Sequence, residues 1–280
     1  MAIALNILLL QLYKTIAQWR SMFNLKFKKM AKQKGFLKLR GSIGDLNFYK
    51  SKDGYMVREK SSIDRNTIMS DPRFQRTREN MQEFKNAGTA GKTLRNAFNA
   101  IIKNAKDSRL SSRLTKVMHG ILKEDTTNAR GQRNVHKGNQ LLMKGFDFNA
   151  GASWLKTVLI PVQVEIERIS GETKFTLEAY KPLDVIIAPQ GATNYRFVAA
   201  STEIDFEKNE YITKTSYTNY YPYDEVEVND VELLNNLSPN SEHTIALAIG
   251  IEFYQEVNTV LYPLKNGSFN AAHLIEINLP

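Results

Sequence analysis

The 280-residue chain contains no cysteine. Disulfides, thiol catalysis and cysteine-bound metals are therefore excluded, and the composition fits a reducing, cytoplasmic compartment. Histidine is scarce as well. His119, His136, His243 and His273 are the only four, and none has a second histidine or a carboxylate at the spacing of a zinc or triad motif. Ordinary structural roles are expected for them. Long apolar runs are missing too: the stretch from Ala2 to Leu10 is too short to cross a bilayer. Acidic residues are absent from positions 1–29, which carry five Lys and Arg.

What remains is an ordinary globular composition, 42% hydrophobic and 24% charged, long enough for one large or two ordinary domains. The net charge of +9 conceals an asymmetry: residues 30–149 carry a net +14 and residues 150–280 a net −10. Such a split points to an electrostatic partner. Nucleic acid could sit on the basic half, or the acidic half of a second copy could. Alternatively, the two halves dock on each other within one chain. The basic half interleaves Arg58, Arg73, Arg109 and Arg133 with aromatics, but no helix-turn-helix, zinc-finger or RNA-recognition signature accompanies them.

Residues 1–29 read as a leader that is not part of the native protein, because Met30 opens a plausible soluble start, MAKQKGFLKL. A membrane-surface helix burying Leu8, Leu12 and Trp19 is the minor reading. From Met30 onward, residues 36–60 alternate like short strands around Gly41-Ser42-Ile43-Gly44 and Asp53-Gly54, which is a hairpin signal. A helix is expected after Pro72. Phe74, Met81 and Gly88, and Thr77, Phe84, Gly91, Phe98 and Ala105, repeat every seven residues and form its expected stripe. Ala87, Gly88, Ala90 and Gly91 mark either a break or a close backbone approach. A second helix is expected over 108–124, with Leu110, Leu114, Val117, Met118 and Ile121 buried, and a third over 127–143. From Trp154 the period falls to two. Strands are expected near 162–166, 175–177, 185–188, 195–200, 211–215, 226–231, 244–254, 260–264 and 273–277, with Asn266-Gly267 as a turn. The expected architecture is α+β: a leader at 1–29, a basic hairpin-and-helix domain at 30–150, and an acidic antiparallel β-sandwich at 151–280.

Candidate chemistry is sparse. Gly91-Lys92-Thr93 ends like a phosphate-binding loop, but Asn86 stands where that pattern requires glycine, and the flanks read as helix rather than buried strand. Glu165 and Glu167, and Glu225 and Glu227, are spaced to share one strand face, which is the usual pattern of an exposed acidic surface. Tyr217, Tyr220, Tyr221 and Tyr223 suit strand-edge packing or an interface. No catalytic residue, cofactor, metal site or small-molecule substrate is expected. A compact pocket in which two or more carboxylates, or a histidine and a carboxylate, converge with hydrogen-bonding geometry would contradict that expectation.

The segment MAKQKGFLKLRGSIGDLNFYKSKDGYMVREK, with DPRFQRTRENMQEF, NARGQRN, PQGATNYRF and GIEFYQEVNTVLYPLKNGSFNAAHL, resembles an uncharacterised family of Bacteroidota proteins of about this length. The resemblance covers nearly all of 30–280. It extends to cytoplasmic fibril proteins of gliding bacteria and, in the hairpin, to small phage-like structural proteins. It transfers no site residue, but it implies assembly rather than catalysis. A self-associating, non-enzymatic subunit is therefore the expected function, with nucleic-acid binding as the alternative. Head-to-tail contact between unlike surfaces propagates into a ring or filament. Arg40, Phe48, Tyr49, Tyr55 and Arg58 of the hairpin, and Glu225 and Glu227 of the acidic half, are the candidate contacts. Intact mass of the protein from its own cells checks the leader: a chain beginning at Met30 is expected, and one beginning at Met1 contradicts it.

Overall fold

A computed structural model describes residues 30–60, 63–105, 107–264 and 269–280. The expected leader and the Asn266-Gly267 turn lie outside the described residues. The fold is α+β with antiparallel sheets. The chain divides into two compact units between Asp71 and Pro72, whereas sequence periodicity placed the boundary near residue 150.

In the first unit, β1 (Ala31–Lys32), β2 (Gly41–Ile43), β3 (Leu46–Ser51) and β4 (Gly54–Glu59) form one antiparallel sheet in the order β1-β4-β3-β2. The expected hairpin is thus a four-stranded sheet. Gly44, at φ +52°, supplies the left-handed backbone that a two-residue turn between β2 and β3 needs. Helix α1 (Arg65–Ser70) follows, with the Asp64 carboxylate accepting from the N–H groups of Arg65 and Asn66. No side chain from 30 to 60 is buried.

The second unit has three layers. Its central sheet runs β12-β11-β7-β8, from β7 (Asn194–Asp205), β8 (Glu210–Tyr217), β11 (Thr244–Val257) and β12 (Val260–Pro263). In addition, β13 (Ala272–Asn278) pairs with β11, and β9 (Tyr221–Pro222) pairs with β7. A second sheet runs β10-β6-β5, from β5 (Gln163–Glu167), β6 (Glu172–Leu177) and β10 (Val231–Asn236). Helices α2 (Gln75–Ala97), α3 (Asn99–Ile102) and α4 (Leu110–Lys123) cover the other face.

The alternation on β11 explains the layering. Ile245, Leu247, Ile249, Ile251 and Phe253 face the second sheet and pack with Tyr195, Phe197, Phe175 and Leu233. Ala246 and Ala248 face the helices and meet Leu94, Phe98, Ile101 and Leu114. Because successive strand side chains point to opposite faces, the bulky face makes a sandwich core and the small face lets helices approach. Gly250 continues the small series. A Cβ there would stand 3.1 Å from Ile101 Cγ2 and from Ala271 O, and 3.2 Å from Val198 Cγ1.

Several helical expectations are corrected. In α2 the buried residues are Glu83, Ala87, Ala90, Gly91, Thr93, Leu94 and Ala97, while Met81 and Phe84 of the expected stripe are 52% and 63% exposed. Gly91 and Phe98 of that stripe are buried as expected, but the face turned towards the sheet and α4 runs through Ala87, Ala90 and Leu94 and leaves Met81 and Phe84 outside it. The glycines do not break the helix. A Cβ on Gly91 would lie 3.6 Å from Leu114 Cβ, so Gly91 marks the close approach of α4, whereas a Cβ on Gly88 would meet nothing within 4 Å. The same stretch rules out a phosphate-binding loop, since Gly91-Lys92-Thr93 is helical. Helix α4 forms as expected, with Leu110, Leu114, Met118 and Ile121 buried.

No third helix spans 127–143. Only Gln140–Met143 is helical, as a 3-10 turn. The loop before it is organised by Asp125, whose carboxylate accepts from the N–H groups of Thr127, Asn128 and Asn134 and from the side chains of Thr127 and Asn128. Two expected strands also differ. Residues 182–185 form the one-turn helix α6, preceded in the chain by the similar one-turn α5 (Trp154–Thr157), and the strand expected over 226–231 begins only at Val231.

Gly250→Val is expected to destabilise the second unit by about 1–3 kcal/mol, because the helix layer cannot retreat without opening the core. Leu247→Ala, on the other face, is expected to cost about 2–5 kcal/mol by leaving a cavity. Chemical denaturation of both variants checks these values.

Candidate assembly surfaces

The register of the first unit sorts its residues by face. Ile43, Leu46 and Phe48 share one face with Val57 and Tyr55. Ile43 is 61% exposed and Leu46 44% exposed, so this apolar face has no core behind it. Tyr49, Met56 and Arg58 occupy the opposite face. The Arg58 guanidinium lies 5.5 Å from the Tyr49 ring, and the Tyr49 hydroxyl donates to the Met30 sulfur at 3.3 Å. Tyr55 is surrounded by cations, with Lys50 at 5.6 Å, Arg40 at 5.7 Å and Lys38 at 5.9 Å from its ring. The five candidate contacts of the hairpin are therefore neighbours on one small sheet.

Glu225 and Glu227 are exposed, but they sit in the loop between β9 and β10 and not on a strand face. Their i, i+2 spacing was read as strand, whereas the chain bends there: Asp224 accepts from the Val226 N–H, and Val228 makes only an isolated bridge with Tyr180. Glu227 lines a cavity of about 520 Å³ with Asp224, Asp230, Tyr221 and Val226. A second acidic cleft, of about 490 Å³, lies at the end of the central sheet, lined by Glu203, Asp205, Glu210, Tyr211 and His243. Glu165 and Glu167 do share the exposed face of β5.

Three buried polar contacts were not legible from spacing. Glu252, 2% exposed, lies opposite Arg196 on the neighbouring strand. One of its oxygens accepts from Arg196 and from the Tyr254 hydroxyl at 2.8 Å, and the other accepts from the Asn104 amide at 2.7 Å. The Arg196 guanidinium also sits 4.5–5.5 Å from the rings of Tyr217, Tyr220 and Tyr254. Burial and the bond to Glu252 push the Tyr254 hydroxyl far above its ordinary value. Half of the tyrosine-rich segment thus encloses an arginine. The other half, Tyr221 and Tyr223, packs on the ring of Tyr195.

Glu83, on α2, accepts from Arg133 and from the Gly131 N–H at 2.8 Å, which anchors the 125–138 loop. His273 Nδ1 lies 2.7 Å from Asp147 Oδ1, a pairing that a separation of 126 positions hid from sequence spacing. Asp147 also takes bonds from the Trp154 N–H and the Ser153 side chain. The carboxylate is the hub of this cluster. The pair ties residues 145–154 to β13. Neither residue lines the two acidic cavities. Among the described residues, no group of three or more His, Asp or Glu is placed to hold a metal ion, and no helix is long and apolar enough to cross a membrane.

No family model matches the sequence, and no curated protein matches it. Among solved structures, the chain shows a slight likeness to the human F-spondin reeler domain. That likeness has 11% identity over 41% of this chain and 86% of that one, at a TM-score of 0.17, which carries no functional argument.

Burial raises the carboxyls of Glu83, Asp107, Asp125, Asp147 and Glu203, but their hydrogen bonds and ion pairs outweigh it and hold all five below their ordinary values. A depressed folded pKa gives stability that is present above the unfolded pKa and lost as pH falls through the folded one. The denaturation midpoint is therefore expected to hold from pH 7 to about 5 and to drop below about 4, where unfolded carboxylates protonate. A midpoint flat to pH 2 would contradict this. Glu252→Ala is expected to cost about 3–5 kcal/mol by stranding Arg196, and more than Glu252→Gln does.

Proposed function

We propose that this chain is a non-enzymatic assembly subunit whose N-terminal sheet docks on another copy. The observation that carries the reading is the four-stranded sheet of residues 31–59, formed without a single buried side chain. A sheet needs its hydrophobic face covered to be stable, and the Ile43, Leu46, Phe48 and Val57 face offers apolar area to a partner. The region from 30 to 60 carries a net +5, so charge would steer it towards an acidic surface and fix the polarity of the contact.

The opposed halves of the sequence support this reading less than the sheet does. Residues 72–149 and 150–280 carry net charges of +10 and −10, and they share one core within the second unit. That unit is neutral overall, and its two signs meet inside the chain in contacts such as Lys144–Glu276 at 2.7 Å. The excess positive charge lies before residue 72.

One observation favours a second reading. Lys38, Arg40 and Lys50 around Tyr55 combine cations and a ring on one face of the sheet, as single-stranded nucleic-acid platforms do.

Sedimentation and negative-stain microscopy at several salt concentrations test the proposal. The chain from Met30 is expected to form large species at low salt that shrink as salt screens charges over about 10 Å at 0.1 M. Removing residues 30–60 is expected to leave a folded monomer. A strict monomer at high concentration and low salt, with tight oligonucleotide binding, would favour the second reading.

A further inference from the structure

Taking that assembly reading as given, we propose its acceptor: the open edge of β8, which receives the Leu37–Ile43 segment of a second copy as an added strand. β8 pairs with β7 on one side, and among the described residues no strand pairs with its other side. The Thr218 N–H donates to Phe197 O at 3.1 Å, which sets the phase of the ladder. Residues 210, 212, 214 and 216 bond inward to β7, and the N–H and C=O groups of 211, 213, 215 and 217 point outward. An eight-residue row of alternate free groups is a template for another chain. The edges of the second sheet are shorter, at five residues in β5 and six in β10.

The donor fits this template by pattern. Leu37-Lys38-Leu39-Arg40-Gly41-Ser42-Ile43 alternates apolar and polar residues like a strand, yet only Gly41–Ile43 pairs with another strand, along one edge only, while the Leu39 backbone bonds to the Gln33 side chain alone. Leu37 is 62% exposed. Charge matches as well. Residues 201–236, which contain β8, hold nine acids and only Lys208 and Lys214 as bases. Lys38 and Arg40 of the incoming strand would pass close to Glu210 and the acidic cleft beside it. The added strand makes the intermolecular sheet continuous through β2 and β3, so the contact is heterologous and propagates.

The absence of cysteine makes cross-linking a clean test. Ser42→Cys and Lys214→Cys both alter exposed positions. Mixed at low salt with a short bis-maleimide, the two variants are expected to give the 42–214 dimer as the main product, and neither variant alone is expected to give it. Tyr211→Pro, at an exposed side chain, removes one outward N–H that β7 does not use. It is expected to lower the assembled fraction about tenfold while leaving thermal unfolding close to that of the parent. Assembly that persists with 42–42 links, or with none, overturns the β8 acceptor and leaves the subunit reading standing. No assembly under any salt condition overturns both.

Discussion

The second unit depends on one constraint: the middle of the central sheet is buried on both faces, so residues 197–204 of β7 and 244–254 of β11 must suit one neighbour layer or the other. Large side chains on one face interlock with the second sheet, and alanines and glycines on the other admit α2, α3 and α4. Polar groups caught in this sandwich must be satisfied in place. Glu252 does so with Arg196, Tyr254 and Asn104. Near β10, the Thr173 and Ser201 hydroxyls meet at 2.6 Å, and the Asn235 amide donates to Ser201 at 3.2 Å. Buried polar groups with partners cost little, whereas the same groups unpaired would oppose folding.

The layering also settles how the opposed charges of the sequence are used. Much of the basic segment forms the helical cover and its loops, and acidic residues of the same unit partner several of its cations. Arg133 is held by Glu83, Arg113 by Asp107 and Lys144 by Glu276. Charge asymmetry along a chain is a property of the sequence, whereas charge asymmetry on a surface depends on which layers face each other. Within residues 72–280 the two signs cancel.

The small N-terminal sheet obeys a different economy. Its strands form because glycines at the turns and alternating side chains favour them locally, and its tyrosines gather cations over their rings. Nothing within 30–60 becomes a core. Such an element contributes little stability by itself, which is what makes its apolar face and its basic edge segment available to a partner.

Local patterns alone determined much of this protein. The period of two marked most strands of the second unit, Leu110, Leu114, Met118 and Ile121 marked α4, and the glycine turns marked the N-terminal strands. These features are legible because side-chain direction follows from backbone geometry within a few residues. Tertiary structure decided the rest. It chose Ala87, Ala90 and Leu94 over Met81 and Phe84 as the buried face of α2, since the packing of the sheet and α4 decides which side of the helix is covered. It folded 125–138 into a loop around Asp125 and Glu83, and it joined His273 to Asp147 across more than a hundred residues. It also moved the boundary between units from 150 to 71, because the helices found their apolar surface on the central sheet. Contacts between distant segments leave no periodic trace in a sequence, and only the packed layers bring them together.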